Sequence, residues 1–168
     1  DNKSNNFIFR AIEQDYFSKT STEGFDYVIG SVHYIYKNGE YLSLDINADE
    51  VKSNIKKHYN GDALAYCEDY YQLVADVYNK TKCQIIGHFD LITKFDSIDE
   101  SDPRYRNAAI DALHRCMKVC SRFEVNTGAM ARANKKTPYP ADFILEEIKR
   151  LGGTVTVSSD CHDPEKLD

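Results

Sequence analysis

The chain has 168 residues, 42% of them hydrophobic and 29% charged, with a mean hydropathy of -0.56; a single domain of this length buries roughly 68–72% of its unfolded surface, and the composition excludes a disordered tail, a collagen-like fibre and a membrane protein. Twenty-seven acidic against twenty-one basic residues give a net charge of -6, which argues against extended nucleic acid as a partner and leaves an anionic small substrate needing a local positive centre such as bound metal. The five cysteines are odd in number and irregular in spacing, no apolar run approaches a membrane span, and residues 1–6 lack an apolar signal core, so a reduced, cytoplasmic protein is expected.

In chain order, Phe7–Ile12 reads as a short strand running into Glu13, and a polar turn follows over Ser18–Gly24. Tyr27–Val32 is a second apolar run ending at His33. Tyr34–Tyr36 and Tyr41–Leu44 form a hairpin around Asn38-Gly39. Ala48–His58 is a helix capped near Asn47, and Asp62–Lys80 repeats apolar residues with helical period. Cys83–Gly87 is a buried-strand candidate ending at His88. Pro103 opens a helix to about Cys120 with Asp102 as its cap. Arg122–Val125 is a strand ending at Asn126, Pro140 opens a helix to Leu151 stopped by Gly152-Gly153, and Thr154–Val157 is the last strand. Asp163-Pro164 starts a further helix. Short apolar strands alternating with helices predict an α/β fold with a parallel sheet.

Glu13, His33, His88, Asn126, Asp160 and His162 each follow a predicted strand. In parallel α/β folds, site residues come from the carboxyl ends of several strands. Imidazoles and carboxylates together suit Zn, Mn or Fe, and in Asp160-Cys161-His162 the alternate side chains of an extended stretch point the same way. A lone strand-end histidine is more often a hydrogen-bonded structural residue; the recurrence at several strand ends is what favours metal. His58 reads as solvated, His114 as a surface or packing residue, and Cys161 as pointing away from the site. Gly128-Ala129-Met130-Ala131-Arg132 reads as a small-residue loop that sets Arg132 either beside a substrate phosphate or in a surface ion pair. Lys135 and Lys136 form an exposed basic pair on the same loop.

Several stretches resemble the PHP-type histidinol-phosphatases: Ile12-Glu13-Gln14-Asp15-Tyr16-Phe17-Ser18, Val28-Ile29-Gly30-Ser31-Val32-His33-Tyr34-Ile35, Ile86-Gly87-His88-Phe89-Asp90-Leu91-Ile92, Glu124 through Arg132, Thr137-Pro138-Tyr139-Pro140 and Val157 through Pro164. The resemblance spans residues 7–168 and implies a distorted seven-stranded β/α barrel holding up to three divalent ions at its strand ends. It makes Glu13 a bridging carboxylate, His33 and His88 imidazole ligands, and Asp160 and His162 the closing ligand pair. Arg132 matches a phosphate-binding arginine, with Asn126 as a second candidate for substrate contact. The family's opening strand, with its His-x-His pair, has no counterpart here. The chain is therefore expected to be a single PHP domain fragment, residues 1–168, with about five of seven strands and weak or no activity by itself.

The implied activity is hydrolysis of L-histidinol phosphate to L-histidinol, a step of histidine biosynthesis, by attack of metal-bound hydroxide. Glu13 and, as proton donor, His162 take catalytic parts in it. The expected partner is a small phosphorylated substrate, with no extended nucleic acid and no membrane; the sequence leaves the oligomeric state open. Two other readings stay open: a phosphoesterase of the same superfamily acting on nucleotides or nucleic-acid ends, and a non-catalytic remnant domain.

Overall fold

Five short strands share one direction and lie side by side in the order in which the chain makes them. The computed structural model describes residues 7–131 and 136–163. The strands of the sheet are β1 (Ala11–Asp15), β2 (Tyr27–Ser31), β5 (Ile85–Ile86), β6 (Arg122–Asn126) and β7 (Thr154–Ser158). A separate antiparallel hairpin, β3 (Tyr34–Lys37) and β4 (Glu40–Ser43), follows β2. The helices are α1 (Ala48–Tyr59), α2 (Ala63–Thr81), α3 (Pro103–Met117), the short α4 (Gly128–Ala131) and α5 (Asp142–Arg150). The sheet order is β1-β2-β5-β6-β7 and every pairing in it is parallel. All carboxyl ends therefore meet at one rim, where a parallel α/β sheet carries its chemistry. Among the described residues β1 and β7 each pair with one neighbour, so the closure of the sheet into a barrel is not seen.

The helices form where caps and apolar spacing require them. Asn47 caps α1 by accepting from Glu50 N at 2.8 Å, and Asp102 caps α3 by accepting from Arg104 N at 2.7 Å. Asp62, expected as the first residue of α2, is instead its cap, accepting from Leu64 N and Ala65 N at 3.0 Å each. α2 buries Tyr66, Cys67, Tyr70, Tyr71, Val74 and Val77 and packs on α3 and β2. Deep in that contact two of the tyrosine hydroxyls are satisfied internally: Tyr70 donates to Phe89 O at 3.2 Å, and Tyr71 donates to the Tyr105 hydroxyl at 3.0 Å.

Three further element expectations are corrected. The first strand is not Phe7–Ile12 but Ala11–Asp15, because Phe7, Ile8 and Phe9 are exposed and pairing with β2 begins at Ala11↔Tyr27. Glu13 thus sits inside the strand. The small-residue stretch after Asn126 is not a loop but the single turn of α4, started by Gly128 N donating to Asn126 Oδ1 at 2.9 Å. α5 begins at Asp142, two residues beyond Pro140, where Ala141 N is tied to Asp90 Oδ2 at 2.8 Å.

Candidate metal centre

Glu13, His33 and His88 are distant in sequence and converge at the carboxyl rim of β1, β2 and β5. Residues 13 and 15 lie on the same face of β1 by the two-residue period of a strand. Asp15 uses that position to fix His33: its Oδ2 accepts from the His33 backbone N at 3.0 Å and lies 3.2 Å from ring Nδ1. His88 follows β5 by two residues, and its backbone N donates to the buried Glu124 at 2.7 Å. Gly87 makes this turn feasible, since a Cβ there would collide with Ser31 Oγ and lie 3.0 Å from Ile29 Cγ2.

The three ligand atoms form a near-equilateral triangle. His88 Nε2 is 2.9 Å from Glu13 Oε1 and 3.1 Å from His33 Nε2, and His33 Nε2 is 3.4 Å from Glu13 Oε1. Ligands bonded tetrahedrally at 2.0–2.1 Å stand about 3.3 Å apart, so the triangle has the size of one face of a Zn-like site. Because Asp15 is an acceptor, the Nδ1–H of His33 donates to it, and a neutral His33 then presents the Nε2 lone pair to Glu13 and His88. With both imidazoles neutral, the lone pairs of all three groups converge on one point, an arrangement that a cation satisfies. Among the described residues this is the group of His, Cys, Asp and Glu side chains whose ligand atoms lie within 4.8 Å of one another.

The electrostatics agree. Burial opposes charge on Glu13, yet hydrogen bonds from His33, His88 and Ser31, with the charge of His88, hold its carboxyl well below the usual range. Burial likewise opposes a charged His33, but hydrogen bonds to Asp15 and Glu13 and the negative charges of Glu13 and Asp45 raise it to about 10. A proton on His33 stands in for the cation that the cluster attracts. The Asp15–His33 pair also has the form of the carboxylate–histidine arrangement that orients metal ligands.

The cluster opens into a cavity of about 290 Å3, also lined by Asp45, Lys94, Asn126, Tyr139, Asp160 and His162. Asp160 and His162 therefore share the site but stand outside the tight set of three. Asp160 adopts the left-handed backbone region (φ 46), which Asp tolerates, just after β7. His162 Nε2 lies 3.3 Å from Asp160 Oδ1, with the His162 side chain 83% exposed. Asn126 is buried with its side-chain oxygen engaged by Gly128 N. Arg132 and Lys135 lie outside the described residues, and so does Pro164. A larger cavity, about 650 Å3, lies between the hairpin and α2 against Tyr16, Tyr36 and Tyr41; it lacks a converging ligand set, so chemistry rather than size selects the smaller one.

His58 is corrected: its side chain is only 3% exposed and lies beneath the hairpin turn, near Asn38 and Glu40, where the hairpin shields it from solvent. His114 is a surface residue that pairs with Glu147 at 2.6 Å. Cys161 donates to Asp163 O at 2.8 Å. Sequence reasoning missed Asp15 and Lys94. Asp15 had a signal, the same-face spacing after Glu13. Lys94 had none: a turn over Leu91–Thr93 swings it back so that Nζ donates to Asp45 O at 2.8 Å beside the cavity.

No protein-family profile matches the chain. It is 28% identical over 147 residues to a protein of Schizosaccharomyces pombe named "Probable histidinol-phosphatase", covering 84% of this chain and 46% of that protein. It is 29% identical over 149 residues to a protein of the same name from Deinococcus radiodurans, covering 84% of this chain and 49% of that one. The chain thus spans about half the length of the curated relatives it matches. Its fold matches a crystal structure from Listeria monocytogenes described as a histidinol phosphatase, with a TM-score of 0.68 at 20% identity, over 85% of this chain and 56% of that one. Among the described residues no helix is long and apolar enough to cross a membrane.

Proposed function

We propose, taking the chain as a relative of the histidinol-phosphatases, that its site belongs to a metal-dependent phosphatase that hydrolyses L-histidinol phosphate to L-histidinol and phosphate in the cytoplasm. The triangle of Glu13 Oε1, His33 Nε2 and His88 Nε2 carries the metal part of this reading. The names of the relatives support the substrate. The five parallel strands are read as part of the wall of a distorted seven-stranded β/α barrel, the arrangement that a chain-order parallel sheet suits.

Glu13, His33 and His88 would hold a divalent ion, and this donor set suits Zn, Mn or Fe. Such an ion supplies Lewis acidity, which lowers the pKa of water and neutralises charge on phosphoryl oxygens. Asp15 locks the ring of His33, and Glu124 holds the backbone that carries His88, so one imidazole and the backbone of the other are fixed before substrate arrives. Asp160 and His162, lining the same cavity, complete the ligand set as substrate or further metal enters. Where it is left unligated, His162, 3.3 Å from Asp160, is instead the proton donor to the leaving alkoxide. Asn126 and Arg132 are assigned to substrate, Arg132 to the phosphate.

The test measures phosphate release from L-histidinol phosphate and from a panel of nucleoside monophosphates, using the whole protein that carries this chain, with added Zn or Mn and after chelation. Preference for L-histidinol phosphate, abolished by chelator, is expected. Preference for a nucleotide would move the protein to another phosphoesterase branch. Absence of turnover on every substrate, with metal bound, would make it a non-catalytic domain.

A further inference from the structure

At the end of the sheet away from the metal centre, two cysteines that the proposed chemistry does not use lie side by side. β5 and β6 pair in parallel through Ile86↔Phe123. Carried back three residues along both chains, that register sets Cys83 beside Cys120. Neighbouring parallel strands lie about 4.8 Å apart, within the Cα separation of roughly 4.4–6.8 Å that a disulfide spans. The two side chains are in hydrogen-bond contact with each other. Cys120 Sγ sits between the strands, 3.5 Å from Gln84 O and 3.7 Å from Arg122 O.

We propose that Cys83 and Cys120 form an oxidisable dithiol that closes to a disulfide across the amino-terminal ends of β5 and β6, with a peroxide as oxidant. A groove of about 350 Å3, lined by Tyr78, Lys82, Cys83, Cys120 and Arg122, gives a small oxidant access and surrounds the pair with positive charge. The Cys83 thiol, which donates to Cys120, and then the Arg122 backbone and charge, pull the Cys120 thiol down against burial, while Cys83 is pushed up. Cys120, the more exposed of the two at 8% against 1%, is the attacking thiolate and Cys83 the resolving thiol. Gly30 makes room for the Cys83 thiol, since a Cβ there would lie 2.7 Å from Cys83 Sγ. Cys116 is committed elsewhere, its Sγ donating to Val74 O at 3.4 Å.

The steps balance. The Cys120 thiolate attacks one peroxide oxygen, the O–O bond breaks, and the departing hydroxide takes a proton to become water, leaving a sulfenic acid. The Cys83 sulfur then attacks Cys120 Sγ; the S–O bond breaks, and the hydroxyl leaves with the Cys83 proton as a second water. The two sulfurs lose two electrons together and the peroxide gains them.

The experiment treats the full chain with equimolar hydrogen peroxide, free of other thiols, and maps its peptides without reduction. The expected product joins the Cys83 and Cys120 peptides with loss of two hydrogens, and dithiothreitol reverses it. In Cys120→Ser the link disappears and Cys83 stays a thiol. In Cys83→Ser, Cys120 accumulates as a sulfenic acid that dimedone traps, so the assignment survives even if one variant folds poorly. Linkage of Cys116 to Cys120, or oxidation of Cys161 while Cys83 and Cys120 stay reduced, would overturn the proposal.

Discussion

Asp15 acts on the metal position without reaching it. Its carboxylate accepts both the backbone N–H and the ring N–H of His33, which fixes one ring orientation and one tautomer. Asp15→Asn keeps the shape and removes the charge, so the ring is held less firmly and Nε2 is a poorer donor. Metal affinity should fall roughly 10–100-fold with the fold retained, measured by competition against a chromophoric chelator. His88→Ala removes a corner of the triangle and should lose metal outright in elemental mass spectrometry. His114→Ala, whose side chain is 44% exposed on α3, should keep full metal content. Equal loss in His114→Ala would mean that the protein's metal is held elsewhere. The residues of the triangle were legible because each sits at the end of, or within, a short apolar run. The orienting role of Asp15 was less so, because a same-face carboxylate becomes informative only once the strand is known to start at Ala11.

At the scale of elements, the sequence was most legible where local chemistry decides. Asn47 and Asp102 cap helices as their residue types require, and Asn38-Gly39 turns the hairpin with positive φ at both residues. It was least legible where tertiary partners decide. Phe7–Phe9 look like a buried strand but are exposed, and Asn126 begins α4 through its side chain. Asp62 makes two capping bonds to α2 and also receives Arg104 Nη1 at 3.0 Å from α3. Asp62→Ala should destabilise by about 0.5–2 kcal/mol, the range for a lost cap, read as a lower urea midpoint with an unchanged slope. The α3–α5 contact carries a pH-dependent clamp. Arg150 first, and His114 second, hold the Glu147 carboxyl down to about 2 from 4.5. A depressed carboxyl stabilises the fold above its unfolded value and loses that contribution as pH falls through the folded value. The difference in urea midpoint between wild type and Glu147→Gln should therefore be full above about pH 4.5 and vanish near pH 2. A difference that persists unchanged to pH 2 would assign it to packing.

For the molecule as a whole, the placement of the triangle matters more than its composition. Its corners come from β1, the segment after β2 and the segment after β5, three adjacent strands of one sheet. The strand order was legible as alternating apolar strands and helices. The closeness of Glu13 and His33 to His88, and the place of Asp160 and His162 outside that set, was not, because it depends on how the strands sit side by side in the sheet. An ion bound to those corners ties the strands together and binds only the folded state, since the unfolded chain scatters its ligands over 75 positions of sequence. At a free metal concentration of 100 times the dissociation constant, linkage adds about 2.7 kcal/mol. For a domain of this size that corresponds to a rise in Tm of roughly 5–11 °C. Thermal melts with and without Zn should show that rise in the wild type and none in Glu13→Gln, whose neutral amide leaves the two imidazoles without their anionic partner. An equal rise in Glu13→Gln would place the stabilising ion on the cysteines or the surface carboxylates, and the three strand ends would then lose their claim to the metal.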